Sequence, residues 1–335
     1  MMRAVGPGYK RGYHMFKNLL RRMVVIGLGV AVGAVFVCSP VSGADFPKKA
    51  VRIIVTAGVG GGEDGEMRGL MPFLQKHLGV NIMVENIGGA GGKIALEKLQ
   101  KTEPDGYTLL FSTFPKPVII EYMEKVAYRT RDFTPVYAWT RSNQLLLGHV
   151  DGWKTFDEFL KAAKAKTLIG GFTGRGSTTH VAGLLAVDAL GIKVNWVPYE
   201  GSGETLGALA GKHIDFVINL ASTSLPLIEG GRLRPLILFS DERDPFFPDV
   251  PVPKDLGFSV PALPGVRGIV APPKTPAAIV KVLEEATSKA VKEAGYVDWA
   301  KKRKMVIKPL NPQQFGKDIA ESYPKVEKIQ QKLKE

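Results

Sequence analysis

The chain has 335 residues, 45% of them hydrophobic, with 45 Lys and Arg against 32 Asp and Glu and one cysteine, Cys38. Six of the cations and no acid lie in the first 44 residues, so the formal charge of +13 falls to +7 beyond them, on a remainder long enough for two domains with their own cores. A single thiol excludes a disulfide framework and a cysteine-based metal site, and the residual positive charge is too modest for a nucleic-acid surface while still favouring small anions.

Residues 23–37 form an apolar run, preceded by Lys and Arg and followed by Val41-Ser42-Gly43-Ala44, so residues 1–44 read as a secretory signal peptide. At about 1.5 Å per residue this run is too short for a hydrocarbon core of about 30 Å. Cys38 lies inside the leader, behind Phe36-Val37, which lack the small residues of a lipoprotein cleavage site. The expected mature protein is periplasmic and has no thiol.

A strand over 51–55 enters the loop TAGVGGGEDG, after which Met67, Leu70, Met71, Leu74 and Leu78 fall on one helical face that Gly79 ends. A strand over 81–85, the loop NIGGAGG, a helix over 93–101 and a third strand in EPDGYTLLFST complete a β-α-β-α-β unit, which predicts a parallel sheet with right-handed crossovers. A second unit starts after Leu145. It has a strand over 167–173, the loop GRGS, a helix over 178–190, a strand over 194–199, the loop EGSG and a helix over 204–210, then DFVINL, a short helix and RPLILFS. The Pro-rich passage 245–264 returns the chain to the first unit, which VRGIVAPP and the last helices complete. The expected architecture is α/β, with parallel-rich sheets flanked by helices. Domain 1 covers 45–144 and 262–335, domain 2 covers 145–261, and a ligand cleft lies between them.

Gly60, Gly62 and Gly65 spell G-x-G-x-x-G, with Glu85 where a ribose-binding acid would stand. Three features oppose a dinucleotide. Four residues separate the strand from Gly60, Glu63 and Asp64 would face the phosphates, and an exported protein rarely meets the cofactor. Asp64 suits an N-cap instead. Glycine loops at 58–65, 88–92 and 174–177 each precede a helix, where unpaired N–H groups and the helix dipole attract anions. His77, His149, His180 and His213 show no metal spacing, and Ser177 with His180 lacks a third partner, which makes a hydrolase a poor reading. Ser177 reads as an N-cap facing the cleft and His180 as a hydrogen-bonded support of its loop.

The motifs GGGEDGEMR, VEN with IGGAGG, PDGYTLL, DFTPV, GRGSTTH, VPYEGSGE and APPKTPAAIV follow one another in an order that resembles the periplasmic solute-binding proteins of tripartite tricarboxylate transporters, the Bug family. The resemblance covers nearly all of the chain beyond the leader. It implies a type II-like, hinge-closing binding protein without catalysis or cofactor, a monomer that hands a small carboxylate to transporter membrane subunits. A ligand sensor for a signalling system is the alternative with the same fold. Carried over by position, Ala57, Gly58, Val59, Gly60 and Gly61 form one wall of the ligand site, and Arg175, Gly176, Ser177, Thr178, Tyr199 and Gly201 the other, with Asp64 and His180 holding the loops. The chain departs from the family pattern at Thr56-Ala57, where Pro-aromatic is common, at Arg175, and around Val266-Arg267, where a tryptophan is usual. Alanine at 57 leaves room for a bulkier ligand unless Phe114 or Arg175 fills the space.

Overall fold

Alternation along β1 (Val51–Val55) sends Ile53 to one face of a sheet and Ile54 to the other, both fully buried, so helices must cover both faces. The computed structural model describes residues 46–328 and Gln330, except Arg175 and Pro261; the expected leader and Cys38 lie outside the described residues.

Strands β2 (Ile82–Asn86) and β3 (Thr108–Phe114) flank β1 in parallel. The sheet continues antiparallel through β10 (Gly265–Ala271), β4 (Thr134–Ser142) and β11 (Val306–Leu310), giving the order β11-β4-β10-β3-β1-β2. In the second sheet β6 (Leu168–Thr173) runs parallel to β7 (Val194–Tyr199) and β8 (Phe216–Leu220), while β5 (Gln144–His149) is antiparallel to β8 and β9 (Leu233–Phe239). Its strand order is β7-β6-β8-β5-β9. Both sheets are therefore mixed, each a parallel trio extended by antiparallel strands. Only Asn143 separates β4 in one sheet from β5 in the other, so the chain changes sheets with no crossover helix, and the parallel pattern expected from the sequence stops there.

Helices follow every strand of the parallel trios. In the first sheet they are α1 (Gly62–Leu78), α2 (Lys93–Gln100) and α3 (Lys116–Met123); in the second, beyond the connecting α4 (Phe156–Ala165), they are α5 (Thr178–Leu190), α6 (Ser202–Ala210) and α7 (Ala221–Glu229). Helix α1 buries Met67, Leu70, Leu74 and Leu78, each such side chain contributing about 1.5–3 kcal/mol, and ends at Gly79, whose left-handed φ of 72° suits glycine. Among the described residues no helix is long and apolar enough to cross a membrane.

The last helices, α8 (Ala277–Ala290), α9 (Ala294–Lys302) and α10 (Pro312–Glu327), close the first sheet. Phe315 of α10 packs edge-on against Phe114 at 4.9 Å on one face. On the other, Trp139 stacks on Phe111 at 5.0 Å and donates its indole N–H to the hydroxyl of Tyr296, 2.7 Å away in α9. Tyr296→Phe would leave that buried N–H without an acceptor. A loss of about 1–3 kcal/mol in a denaturant titration is expected, and an unchanged midpoint would show that the contact contributes nothing.

Candidate functional site

The first glycine loop is braced from within. Helix α1 starts at Gly62 with Gly61 as N-cap, so Asp64 is not the cap that the sequence suggested but sits in the first turn. The extended backbone of Gly61 lets the helix begin three residues early, and the carboxylate of Asp64 accepts from the Gly60 N–H behind it at 2.9 Å and from Arg68 Nε ahead of it at 2.8 Å. Arg68 also donates to Asn86 Oδ1, and Asn86 in turn donates to the Ala57 carbonyl, which ties the loop to the end of β2. Burial alone would raise the Asp64 pKa, but the Gly60 N–H, Asn86 and Arg68 outweigh it and hold the carboxyl below the usual aspartate range. The φ of 80° at Gly60 requires glycine, and the Gly61 N–H closes a turn on the Gly58 carbonyl at 3.2 Å. Two of the amides expected to serve a ligand, Gly60 and Gly61, are thus spent inside the loop. Gly58 and Val59 stand at its exposed tip. Ala57 packs against the core that holds Met67 and Trp139, whereas Phe114 belongs to the core on the opposite face, so Phe114 does not fill the space beside Ala57. Glu85 is paired with Lys98 and Arg52.

In the second sheet, Ser177 is the N-cap of α5, its hydroxyl accepting from the His180 N–H at 3.1 Å and lying 2.9 Å from the Thr179 hydroxyl. His180 stacks on Phe172 at 4.2 Å, and its Nδ1 accepts from the Gly176 N–H. The Ser177 N–H closes on the Gly174 carbonyl, and the Gly174 N–H on that of Tyr199. These bonds join the loops after β6 and β7. Gly201 caps α6, and Thr178 opens α5, buried. Arg175 lies outside the described residues. Beside these loops the Asn219 amide nitrogen is buried without a partner among the described residues, next to Ser202, whose hydroxyl is 3.4 Å from Asn219 Oδ1.

Beneath the first loop lies a polar network that the sequence reading did not find. Glu63 and Glu66 share the buried face of α1 with Met67 and Leu70. Lys116, at the start of α3, donates to Glu63 and to the Thr56 hydroxyl, both at 2.8 Å; Thr56 donates to Glu63 at 2.7 Å, and the Thr113 N–H does so at 2.9 Å. Arg267, in β10, pairs through Nη1 with Glu66 at 2.6 Å and donates from Nε to the Thr113 hydroxyl at 3.2 Å, while Thr140 donates to the other Glu66 oxygen. All four charged residues are buried, none more than 9% exposed as a whole residue. Burial pushes the Glu63 pKa up, but the Lys116 charge, the hydrogen bonds from Lys116 and Thr113 and the Arg267 charge outweigh it and hold the carboxyl at about 2. The available signal was local. An arginine inside the otherwise apolar GVRGIVA, and two acids on the stripe side of a helix, mark charge that must be buried and paired.

This network touches the second sheet. A Cβ placed on Gly62 would lie 2.9 Å from Arg267 Nη2 and 3.1 Å from the hydroxyl of Thr223 in α7. One on Gly176 would lie 2.7 Å from the sulfur of Met123 at the end of α3. The start of α1 therefore meets the start of α7, and the loop before α5 meets the end of α3. A surface recess of about 670 Å³ lined by Lys48, Lys49, Gln75 and Lys76 lies instead at the other end of β1 and β2.

The model of the tripartite tricarboxylate transporter family receptor matches residues 67–334. The chain belongs to this family. The receptor is 30% identical to BugT of Bordetella pertussis over 289 residues, 83% of this chain and 88% of BugT. Among solved structures it is similar to MatC of Rhodopseudomonas palustris with bound malate, at 27% identity and a TM-score of 0.75 over 85% of this chain and 100% of MatC. A second R. palustris protein, solved with adipate, gives 25% identity and a TM-score of 0.79 over 86% and 98%. The family consists of periplasmic solute-binding receptors and not of enzymes.

Glu63→Gln leaves Lys116 buried without its countercharge. Unfolding free energy is expected to fall by about 3–5 kcal/mol, and Glu63→Gln with Lys116→Met to recover most of it; equal losses in both variants would mean that the pair is not the relevant interaction. The lowered pKa also fixes a pH dependence. A carboxyl held at about 2 against an ordinary 4.5 stabilises the fold above pH 4.5 and loses that contribution as pH falls towards 2. The loss is on the order of 3 kcal/mol, and it is expected to shrink in the double variant when melting is followed from pH 5 to 2.

Proposed function

We propose that the protein is an exported receptor that captures a small organic acid between two lobes, one built from 45–144 with 262–335 and one from 145–261, and delivers it to the membrane subunits of a tripartite tricarboxylate-type transporter. The observation that carries this reading is the meeting of helix starts from the two sheets, with Gly62 of α1 set against Thr223 of α7. Helix starts on both sides suit an anion, although the Ala221 N–H of α7 is itself bonded to the Asn143 carbonyl, and a ligand touching both lobes stabilises their closure. The malate and adipate held by the two R. palustris proteins support carboxylate as the ligand class. In this reading Gly58 and Val59 line one wall, Thr178, Tyr199 and Gly201 the other, and Asp64 and His180 keep the loops rigid. Gly60, Gly61, Gly176 and Ser177, whose N–H groups are engaged internally, shape the walls rather than donate from the backbone.

A bound acid at 100 times its dissociation constant adds about 2.7 kcal/mol to the folded state. A melting screen with mono-, di- and tricarboxylates is expected to show such a shift for at least one acid and none for NAD. A shift with NAD alone would contradict the reading.

A further inference from the structure

Asn219 stands at the carboxyl end of β8, the middle strand of the second sheet, one residue before the N-cap of α7. Alternation puts it on the same face as Val217, where α6 packs Leu206 and Leu209. That face turns polar at its edge. Asn219 is 1% exposed, and around it lie the hydroxyls of Thr173 at the end of β6 and of Ser202 and Thr205 at the start of α6. The backbone fixes the orientation of the amide. Oδ1 accepts from the Leu220 N–H at 2.8 Å, so the other amide atom is the nitrogen, and Nδ2 is buried with no hydrogen-bond partner among the described residues. Oδ1 also lies 3.4 Å from the Ser202 hydroxyl, which sets the amide against the first residue of α6. A buried amide N–H without an acceptor costs free energy, and a leucine of similar shape would fill the place without that cost.

The space in front of this helix start is open. A Cβ on Gly201, the N-cap of α6, or on Gly203 or Gly174 would meet nothing within 4 Å. Thr173 and Ser202 are half-buried at its sides, and Asn219 is at its floor. The hydroxyl protons at the sides are turned inward. Thr205 donates to the Gly201 carbonyl at 2.9 Å, which leaves its oxygen to accept from Thr173 at 3.2 Å, and Ser202 donates to Asn219 Oδ1. Lone pairs of Thr173 and Ser202 therefore stand beside the unpaired N–H of Asn219, acceptors next to a donor. A carboxylate only accepts, so it would face those lone pairs and also Glu204 in the same helix turn, whose carboxylate accepts from the Glu200 N–H. A hydroxyl accepts and donates at once, and it matches the set.

Resting on the receptor reading above, we propose that Asn219 Nδ2 and the hydroxyls of Thr173 and Ser202 form a subsite for a hydroxyl group of the ligand, so that the receptor selects hydroxy acids over the same acids without the hydroxyl. The ligand oxygen accepts from Nδ2 and donates to Thr173 or Ser202. Because Asn219 leads directly into α7, whose start meets that of α1, the carboxylate and the hydroxyl of one small acid are read at adjoining points.

The test is calorimetric titration of the receptor with acids that differ by one hydroxyl: malate against succinate, 2-hydroxyglutarate against glutarate, citrate against propane-1,2,3-tricarboxylate, and lactate against propionate. In at least one pair the hydroxy acid is expected to bind roughly ten-fold more tightly than its partner. Asn219→Leu is expected to bring the two affinities together while the plain acid binds as it does to the wild type, and Ser202→Ala to narrow the same ratio. A purely structural role for Asn219 would lower the melting temperature or weaken both acids equally, with the ratio unchanged. If Asn219→Leu fails to fold, as read from its melting curve, the ratio in Ser202→Ala decides. Plain acids that bind the wild type as tightly as hydroxy acids, or a ratio that survives in the variants, overturn the subsite and leave the receptor reading intact. Absence of binding by every acid to the wild type overturns both.

Discussion

Two carboxylates one turn apart on α1, each buried against a cation from a different part of the chain, decide where that helix can begin and how its loop lies. Glu63 is bound to Lys116 after β3, and Glu66 to Arg267 in β10. Because both acids face inward, the first turn of α1 is anchored to the sheet, and the glycines before it must carry the chain from Thr56 to that fixed point. Pairs of this kind add little net stability, since desolvation offsets most of the attraction, but loss of one partner is costly. Their consequence here is positional. They hold the helix start, and with it a set of unpaired N–H groups, against the second sheet.

Rigidity of the loops follows from the same arrangement. Asp64 is held from Gly60, Asn86 and Arg68, and the loop after β2 packs so closely that a Cβ on Gly88 would lie 3.3 Å from the Gly58 nitrogen. On the other sheet Ser177 and His180 together brace the loop before α5. Loops fixed in this way lose little conformational entropy when a ligand arrives, which is how a binding site gains affinity without more contact area.

Much of the fold was legible in the sequence because its signals are local. The stripe from Met67 to Leu78 closed by Gly79, the alternation in β1 and the serine before Thr178-Thr179-His180 each sit within a few residues of the feature they specify. The antiparallel additions were hidden, because pairing β10 with β3 and β4 depends on contacts across more than a hundred residues, and Asn143 alone marks the change of sheet. Hidden for the same reason were the ion pairs, whose partners are 53 and 201 residues apart. Asp64 was placed on the right helix but in the wrong position, since a glycine N-cap leaves no side-chain signature. The resemblance placed the ligand on the loop glycines by position and marked the departure around Val266-Arg267, but position alone could not show that Arg267 is buried against Glu66.

A crystal structure of the receptor soaked with an organic acid that shifts its melting tests the central role of the network most directly. A carboxylate seated between the starts of α1 and α7, with the Glu63–Lys116 and Glu66–Arg267 pairs intact, is the expected result. An acid bound away from these helix starts, or a ligand that breaks either pair, would contradict it.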